Sequence, residues 1–279
     1  MHNPLEQRIA LACRLKEEFP LQPLQDRPAL RAAQASAIPS RCFQTAEIRQ
    51  FGRSHHATLL ELRERNPELK FLLFDASRRD AYMAEHWHDH PIGNLYRRAR
   101  FGAMRADIFR YCIVFDQGGF YLDINKLLLL PLQTFVQEGN LGLISYESNW
   151  CQLPAPPVAA NRLLHPDRYI VQWCFGFSAG HELLRQMINN ICLHAPNYEG
   201  KALENPGEAI RSLTGPGLFT KTVRDYFENQ TGHDISQAGI DFHHQLRCPA
   251  EREVMYLRQP HYKTCRNQPI LETPSDRGR

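Results

Sequence analysis

From Ile38 onward, short apolar blocks alternate with longer stretches in which apolar residues recur every three to four positions. Blocks of the first kind run from Arg41 to Gln44, Phe71 to Phe74, Gly142 to Tyr146 and Val171 to Phe177. Their length and bounding residues predict strands. Stretches of the second kind predict helices over Ser54 to Arg65, about Arg78 to Trp87, Gly102 to Asp116 and His181 to His194, with Asn66-Pro67 as a breaker. Strands alternating with helices predict an α/β fold with a mostly parallel sheet, whose ligands gather beyond the carboxyl ends of the strands. Asp75 and Asp123 both fall at such ends. Residues 1–37 differ, with a helical pattern over Leu5 to Phe19, prolines at 20, 23 and 28 and an Ala-rich run to Ala37. They predict a helical N-terminal extension, leaving 38–272 as the main domain and 273–279 as a disordered tail.

Composition narrows the partners. Thirty-three basic against thirty acidic residues leave a net charge of +3 in 279 residues, with no Lys/Arg block to follow a phosphate backbone, so nucleic acid is not expected. The longest apolar run, Leu127 to Leu132, contains Pro131 and is far too short to span a bilayer, and Arg14 and Lys16 cut the Ile9 to Cys13 stretch off before signal-peptide length. The expected location is the cytoplasm, at most peripheral to the inner face of a membrane. Eight cysteines without a C-x-x-C pair, several in apolar surroundings such as Cys112 and Cys174, are expected to be reduced. Neither a G-x-S-x-G elbow nor a G-x-x-x-x-G-K-[ST] loop occurs, so serine-hydrolase and P-loop chemistry lack their anchors.

The polar residues that interrupt this pattern carry the chemistry. In GAMRADIFRYCIVFD, Met104, Ile108, Cys112 and Phe115 fall within about 80° of arc and predict a core stripe. Asp107 and Arg110, three residues apart, lie together roughly 120° from it, which fits an i,i+3 ion pair or a polar site. The helix runs into Asp116-Gln117-Gly118-Gly119 and then into Phe120-Tyr121-Leu122-Asp123-Ile124-Asn125. In an extended chain Asp123 and Asn125 point to one side and can face a divalent cation such as Mg2+ or Mn2+, with phosphate oxygens and water completing its shell. A rival constellation, Glu85-His86-Trp87-His88-Asp89-His90, is dense in metal-ligand types, but it follows a predicted helix and leads into Pro91, so a solvated helix end is the better reading, with Trp87 capping or packing it.

The run from Ala106 to Asn125, A-D-I-F-R-Y-x6-G-G-F-Y-L-D-I-N, resembles the DXD-containing sugar-binding region of glycosyltransferase family 32, which includes fungal-type α-mannosyltransferases and bacterial capsule and lipopolysaccharide sugar transferases. Ile38-Pro39 through Gln44-Thr45 resembles that family's opening strand, Asn66-Pro67 to Asp75 its second strand, and Thr214-Gly215-Pro216-Gly217 its later turn. The resemblance implies a GT-A fold and transfer of a hexose, with retention, from a UDP- or GDP-sugar to a hydroxyl of a saccharide, lipid-linked saccharide or protein, as in polysaccharide biosynthesis. It implies that Asp107, Arg110 and Asp123 form the catalytic set, and that Tyr111, Gly119, Gln44, Thr45, His261 and Lys263 join them in holding the donor. Metal, Mn2+ or Mg2+ and weakly bound, would fall to Asp123, Asn125 and His261. An alternative placement of the histidine motif is Phe242-His243-His244. Two departures stand out: Asn125 occupies the second acidic DXD position, and Thr45-Ala46 replaces the tryptophan of the opening strand and loop. Asn125 also supports an alternative of another class, a degenerate relative that binds a nucleotide-sugar or glycan without turning it over.

Overall fold

The structure is a computed structural model and describes residues 4–229, 234–247, 262 and 265–273. Its centre is a seven-stranded sheet built from β1 (Arg41–Thr45), β2 (Lys70–Phe74), β3 (Gly119–Leu122), β4 (Gly142–Trp150), β5 (Arg168–Ile170), β6 (Cys174–Phe177) and β7 (Ile235–Ile240). The spatial order is β7-β4-β6-β3-β1-β2, with β5 paired to β4. Within the main path every strand runs the same way except β6, which is antiparallel to both β3 and β4. The α/β class with a central, mostly parallel mixed sheet is thus the observed one.

Alternation along the strands builds two core layers, because successive side chains of a strand leave opposite faces. Cys42, Phe120 and Leu122 pack on one face with Leu62 and Phe71, while Phe43 and Tyr121 pack on the other with Phe109 and Tyr111. Helix α1 (Arg53–Arg65) presents Leu62 to the first layer. The second layer is filled by α2 (Ala76–His86), α3 (Pro91–Arg98), α4 (Gly102–Gln117), α5 (Glu182–His194), α6 (Pro206–Leu213) and α7 (Pro216–Asn229). Residues Asp107 to Val114 of α4 are buried on every side, and apolar side chains such as Ile108 and Ile113 each contribute about 1.5–3 kcal/mol through that burial.

Two glycines let α4 turn straight into β3. At Gly118 (φ +64°) a Cβ would lie 2.7 Å from the Ala179 nitrogen, and at Gly119 (φ +116°) it would lie 2.7 Å from the Arg41 carbonyl oxygen. Both φ values and both approaches require glycine.

The structure departs from the expected elements in several places. Of the predicted strand Val171 to Phe177 only Cys174–Phe177 is strand, as β6; Val171–Trp173 is a break between it and β5, and this break turns Gln172 out of the ladder toward the site. Asp75 is spent on structure: it is the N-cap of α2, and its Oδ1 accepts from the Arg78 N–H at 2.9 Å. The N-terminal segment packs against the main domain, with Gln22–Pro23 paired to Gln50–Phe51 and Arg27 bridged to Phe71 of β2. The Arg27 guanidinium also donates to the Asn66 and Leu69 carbonyls at 2.6 and 2.9 Å. Of the expected tail 273–279, residues 274–279 lie outside the described residues. The seven cysteines among the described residues are free, and no helix among these residues is long and apolar enough to cross a membrane.

Candidate active site

Beyond the carboxyl end of β3 and beside the last residues of β4 lies a cavity of about 550 Å3 whose wall includes Asp107, Arg110, Asp123, Asn125, Gln172 and Tyr262. The four residues singled out by charge and spacing therefore meet in one place. Asp123 follows the last residue of β3 and continues its ladder, donating its N–H to the Trp173 carbonyl at 2.8 Å. The chain then leaves the extended conformation: the Lys126 N–H reaches the Asp123 carbonyl at 3.1 Å, closing a turn over Ile124 and Asn125. Asp123 and Asn125 face the cavity because of this turn and not, as expected, because a strand continues. His55 of α1 supports it from behind, with Nε2 donating to the Ile124 carbonyl at 2.8 Å, and Leu127–Leu128 pairs with Leu246–Arg247 beyond it.

Arg110 is the hub. Its Nη2 lies 3.1 Å from Asp107 Oδ1 and 3.1 Å from Asp123 Oδ1, its Nη1 donates to the Gln172 carbonyl at 3.0 Å, and its guanidinium sits 4.5 Å from the Tyr121 ring centroid. Burial alone would weaken its hold on the proton, but Asp123, Tyr121 and Asp107 outweigh burial and raise its pKa, so it stays charged. Asp107, 6% exposed, accepts from Gln172 Nε2 at 2.9 Å on Oδ1 and from Thr214 Oγ1 at 3.0 Å on Oδ2. Burial pushes its pKa up to about 6 against the opposing pull of Arg110 and those hydrogen bonds. Asp123 Oδ1 also accepts from the Tyr121 hydroxyl at 2.9 Å. Asp107 and Arg110 thus form the simple ion pair and a wall of the cavity at once.

Other expected donor contacts are placed elsewhere. Tyr111 is fully buried behind Asp107; its hydroxyl donates to the Thr214 carbonyl at 3.0 Å and accepts from Gln172 Nε2 at 2.9 Å, so it holds the wall and does not line it. Gly119 stands at the start of β3, the opposite end from Asp123, where its role is the close approach to Arg41. Thr45 Oγ1 donates to the Phe74 carbonyl at 2.8 Å and accepts from Arg79 at 3.1 Å, which occupies it at the end of β1. Gln44 is buried, neither of its amide atoms has a hydrogen-bond partner among the described residues, and it is not part of the cavity wall. His261 and Lys263 lie outside the described residues; Tyr262 between them lines the cavity, and burial raises its pKa to about 12. In the alternative histidine position, Phe242 is core, packed on Phe135 and Trp173, and Asp241–His244 form a left-handed turn with φ from 45° to 61°.

Sequence reasoning missed Gln172, Lys126, Glu147 and Arg211, which complete the wall. Only Lys126 carried a signal, its position directly after Asp123-Ile124-Asn125; the others arrive from distant segments. The histidine-rich stretch is a helix boundary: Trp87 is the C-cap of α2, with its indole N–H donating to Asp116 at 2.8 Å, and His90 caps α3, accepting from the Ile92 N–H. His86 and His88 are exposed, and no group of three His, Cys, Asp or Glu side chains able to hold a metal occurs among the described residues.

Whether a divalent cation suits the cavity can be judged on Asn125. Its Oδ1 is buried without a hydrogen-bond partner among the described residues, an acceptor left for a ligand or cation. Asp123 contributes one carboxylate with Oδ1 already engaged. One anionic and one neutral oxygen fit a hard cation that draws its remaining ligands from water and phosphate.

The chain thus combines a mixed sheet, with one reversed strand among parallel ones, and an acid–base cluster beyond the carboxyl end of β3. Residues 52–141 match the family model described as the glycosyltransferase sugar-binding region containing a DXD motif. The initiation-specific α-1,6-mannosyltransferase of Candida albicans is 28% identical over 178 residues, covering 60% of this chain and 46% of that protein. The enzyme of the same description from Schizosaccharomyces pombe is 26% identical over 147 residues, covering 50% and 36%. The chain spans less than half the length of these curated relatives. Among solved structures, PaToxG glycosyltransferase aligns over 81% of this chain and 80% of its own with a TM-score of 0.49 and 12% identity. Galactosyltransferase LgtC with donor and acceptor sugar analogues aligns over 71% and 73% with a TM-score of 0.33 and 9% identity.

Proposed function

We propose that the chain is a retaining hexosyltransferase that takes its sugar from a UDP- or GDP-hexose and passes it to a hydroxyl of a saccharide, lipid-linked saccharide or protein. The observation that carries this reading is the convergence of Asp107, Arg110, Asp123 and Asn125 on one cavity. As the bond from the anomeric carbon to the diphosphate breaks, negative charge grows on the leaving oxygen. Fixed cationic groups in a water-poor site stabilise that charge more in the transition state than in the ground state. Arg110, Lys126 and Arg211 supply such charge in the cavity wall. Mn2+ or Mg2+ held by Asp123 and Asn125 would add Lewis-acid stabilisation of the diphosphate. The Asp107 carboxylate and the Arg110 guanidinium offer an acceptor and donors suited to sugar hydroxyls. A hexose such as mannose is consistent with the names of the fungal relatives, and the cytoplasm or the inner face of a membrane is the proposed setting.

The alternative, a relative that binds without turnover, rests on Asn125 alone. Radiolabelled UDP- and GDP-hexoses incubated with Mn2+ separate the two: a transferase hydrolyses one donor slowly, and a pure binding module does not. Asp123→Ala is expected to remove that hydrolysis while leaving the circular dichroism spectrum unchanged. Retention of more than about a tenth of wild-type turnover would sink the catalytic assignment.

A further inference from the structure

Two further cavities continue from the candidate active site, and neither is used by the donor reading above. Arg211, at the end of α6, lies in the wall of the site and also in the wall of a polar cavity of about 390 Å3 shared with Tyr169, Asn205 and Glu208. Tyr169, Ser212 and Gly217 in turn line both this cavity and a third one of about 500 Å3. Through these shared walls the three follow one another in series beside the junction of α6 and α7. The junction is tight because Gly215 and Gly217 carry no Cβ there: one at Gly215 would fall 2.6 Å from Arg211 Cα, and one at Gly217 would fall 2.9 Å from the Arg211 carbonyl oxygen.

The chemistry changes along this series. The middle cavity offers hydrogen-bonding groups of both signs, in Asn205, Glu208, Arg211, Ser212 and the Tyr169 hydroxyl. The far cavity is walled largely by apolar residues, among them Leu153, Pro154, Pro156 and Leu218. Lys221 pairs with Asp225 there, and the Arg224 guanidinium donates to the Leu153 carbonyl at 2.6 Å and to the Pro166 carbonyl. Leu153 itself is 70% exposed, and the neighbouring Trp150 is 64% exposed, with the Arg168 guanidinium 3.6 Å from its ring centroid. Arg224 is buried with both terminal nitrogens spent on those carbonyls, so the surface this end offers an occupant is mainly apolar, and an apolar group would cover exposed Leu153.

We infer that this series is the acceptor groove, and that the acceptor is a glycoside whose sugar lies in the middle cavity and whose uncharged, apolar aglycone lies against Leu153 and Leu218. The inference rests on the transferase reading for its direction: an acceptor hydroxyl must enter the donor cavity from an adjoining space, and the cavity sharing Arg211 is such a space. It deepens that reading by naming the acceptor class.

The test uses the full chain with methyl and octyl α-D-mannopyranoside, methyl and octyl α-D-glucopyranoside, and 1-octanol, all below micellar concentrations, with binding followed by titration calorimetry. At least one octyl glycoside is expected to bind tenfold or more tightly than both its methyl counterpart and octanol, since each buried methylene strengthens binding by about fourfold at most. Leu153→Asp, on an exposed side chain that leaves the melting temperature near that of wild type, is expected to cut the octyl advantage to about threefold or less. Ser212→Trp, which fills the neck between the last two cavities, is expected to do the same. An octyl advantage absent for both sugars, octanol binding as tightly as the glycosides, or an advantage unmoved in both variants each overturns the inference. Donor hydrolysis without acceptor is measured in parallel. Its absence beside an intact octyl advantage would remove the transferase reading and leave the groove a glycoside-binding site.

Discussion

Asp107→Asn should remove a stability loss that the wild-type chain suffers as pH rises through about 6. Asp107 is buried, and its pKa is lifted from 3.8 to about 6, chiefly by that burial. A carboxyl whose folded pKa lies above its unfolded value holds its proton more tightly in the folded chain. Its contribution is therefore complete below about pH 4 and is lost as pH climbs through 6. A lift of roughly two units at 1.36 kcal/mol per unit sets the loss at about 3 kcal/mol. The amide can take the carboxyl's place: its oxygen can still accept from Gln172 and Arg110, and its Nδ2 can donate to Thr214 Oγ1, whose own proton has an alternative acceptor in the Ile210 carbonyl at 3.3 Å. Urea unfolding of both proteins from pH 4.5 to 8 measures the effect as a difference. Asp26 and His181, whose pKa values are lowered, add stability as pH rises, and they cancel in that difference. The variant should gain about 2–3 kcal/mol relative to wild type across this range. A flat difference would show that Arg110 fully offsets burial, and a difference of opposite sign would show that the cluster holds Asp107 below the usual carboxylate range.

Asn125→Asp should tighten Mn2+ binding tenfold or more in the presence of a nucleoside diphosphate, read by titration calorimetry, because hard cations respond to ligand charge; unchanged affinity would mean that Oδ1 does not face the cation. Gly119→Ala should cost about 2–4 kcal/mol in urea unfolding through its positive φ and the clash with Arg41. The folded fraction should bind nucleotide as before, and weakened nucleotide binding at intact stability would return Gly119 to the donor site. Gln44→Leu should stabilise the chain by about 1–3 kcal/mol in the same assay by removing two buried, unpartnered amide atoms. A loss of stability would mean that the amide has a partner.

The parts of the molecule that were legible in advance are those whose signal is local. Cys42 and Phe43, or Phe120 and Tyr121, send adjacent side chains to different layers, and period-two alternation is visible in any short window. The buried stripe of α4 and the grouping of Asp123 with Asn125 were legible for the same reason, though a turn and not a strand aims that pair. Helices α6 and α7 were not anticipated, because each opens on a proline that also reads as a breaker, and a two-residue link joins them. Gln172 was hidden in an apolar block whose interruption depends on where β5 and β6 find partners. Tyr111 lies one helical turn beyond Asp107 and shares its side of α4, but depth below a surface is not encoded in helical spacing, and its hydroxyl is consumed by Thr214 and Gln172.

The hydrogen bond from Thr214 to Asp107 joins residues 107 positions apart, and that from Gln172 joins residues 65 apart. During synthesis Asp107 and Arg110 leave the ribosome well before the groups that hold them, and at 5–20 residues per second the wait for Thr214 is about 5–20 s. Throughout that interval the buried stretch of α4 carries Asp107 and Arg110, and it cannot dock fully without leaving Asp107 Oδ2 short of its Thr214 partner. The polar cluster is therefore expected to delay assembly, the first half of the sheet closing fully only when the second half arrives. A chain terminated between residues 140 and 170 is then expected to remain loosely packed and protease-sensitive around α4, despite containing the entire Ala106 to Asn125 motif.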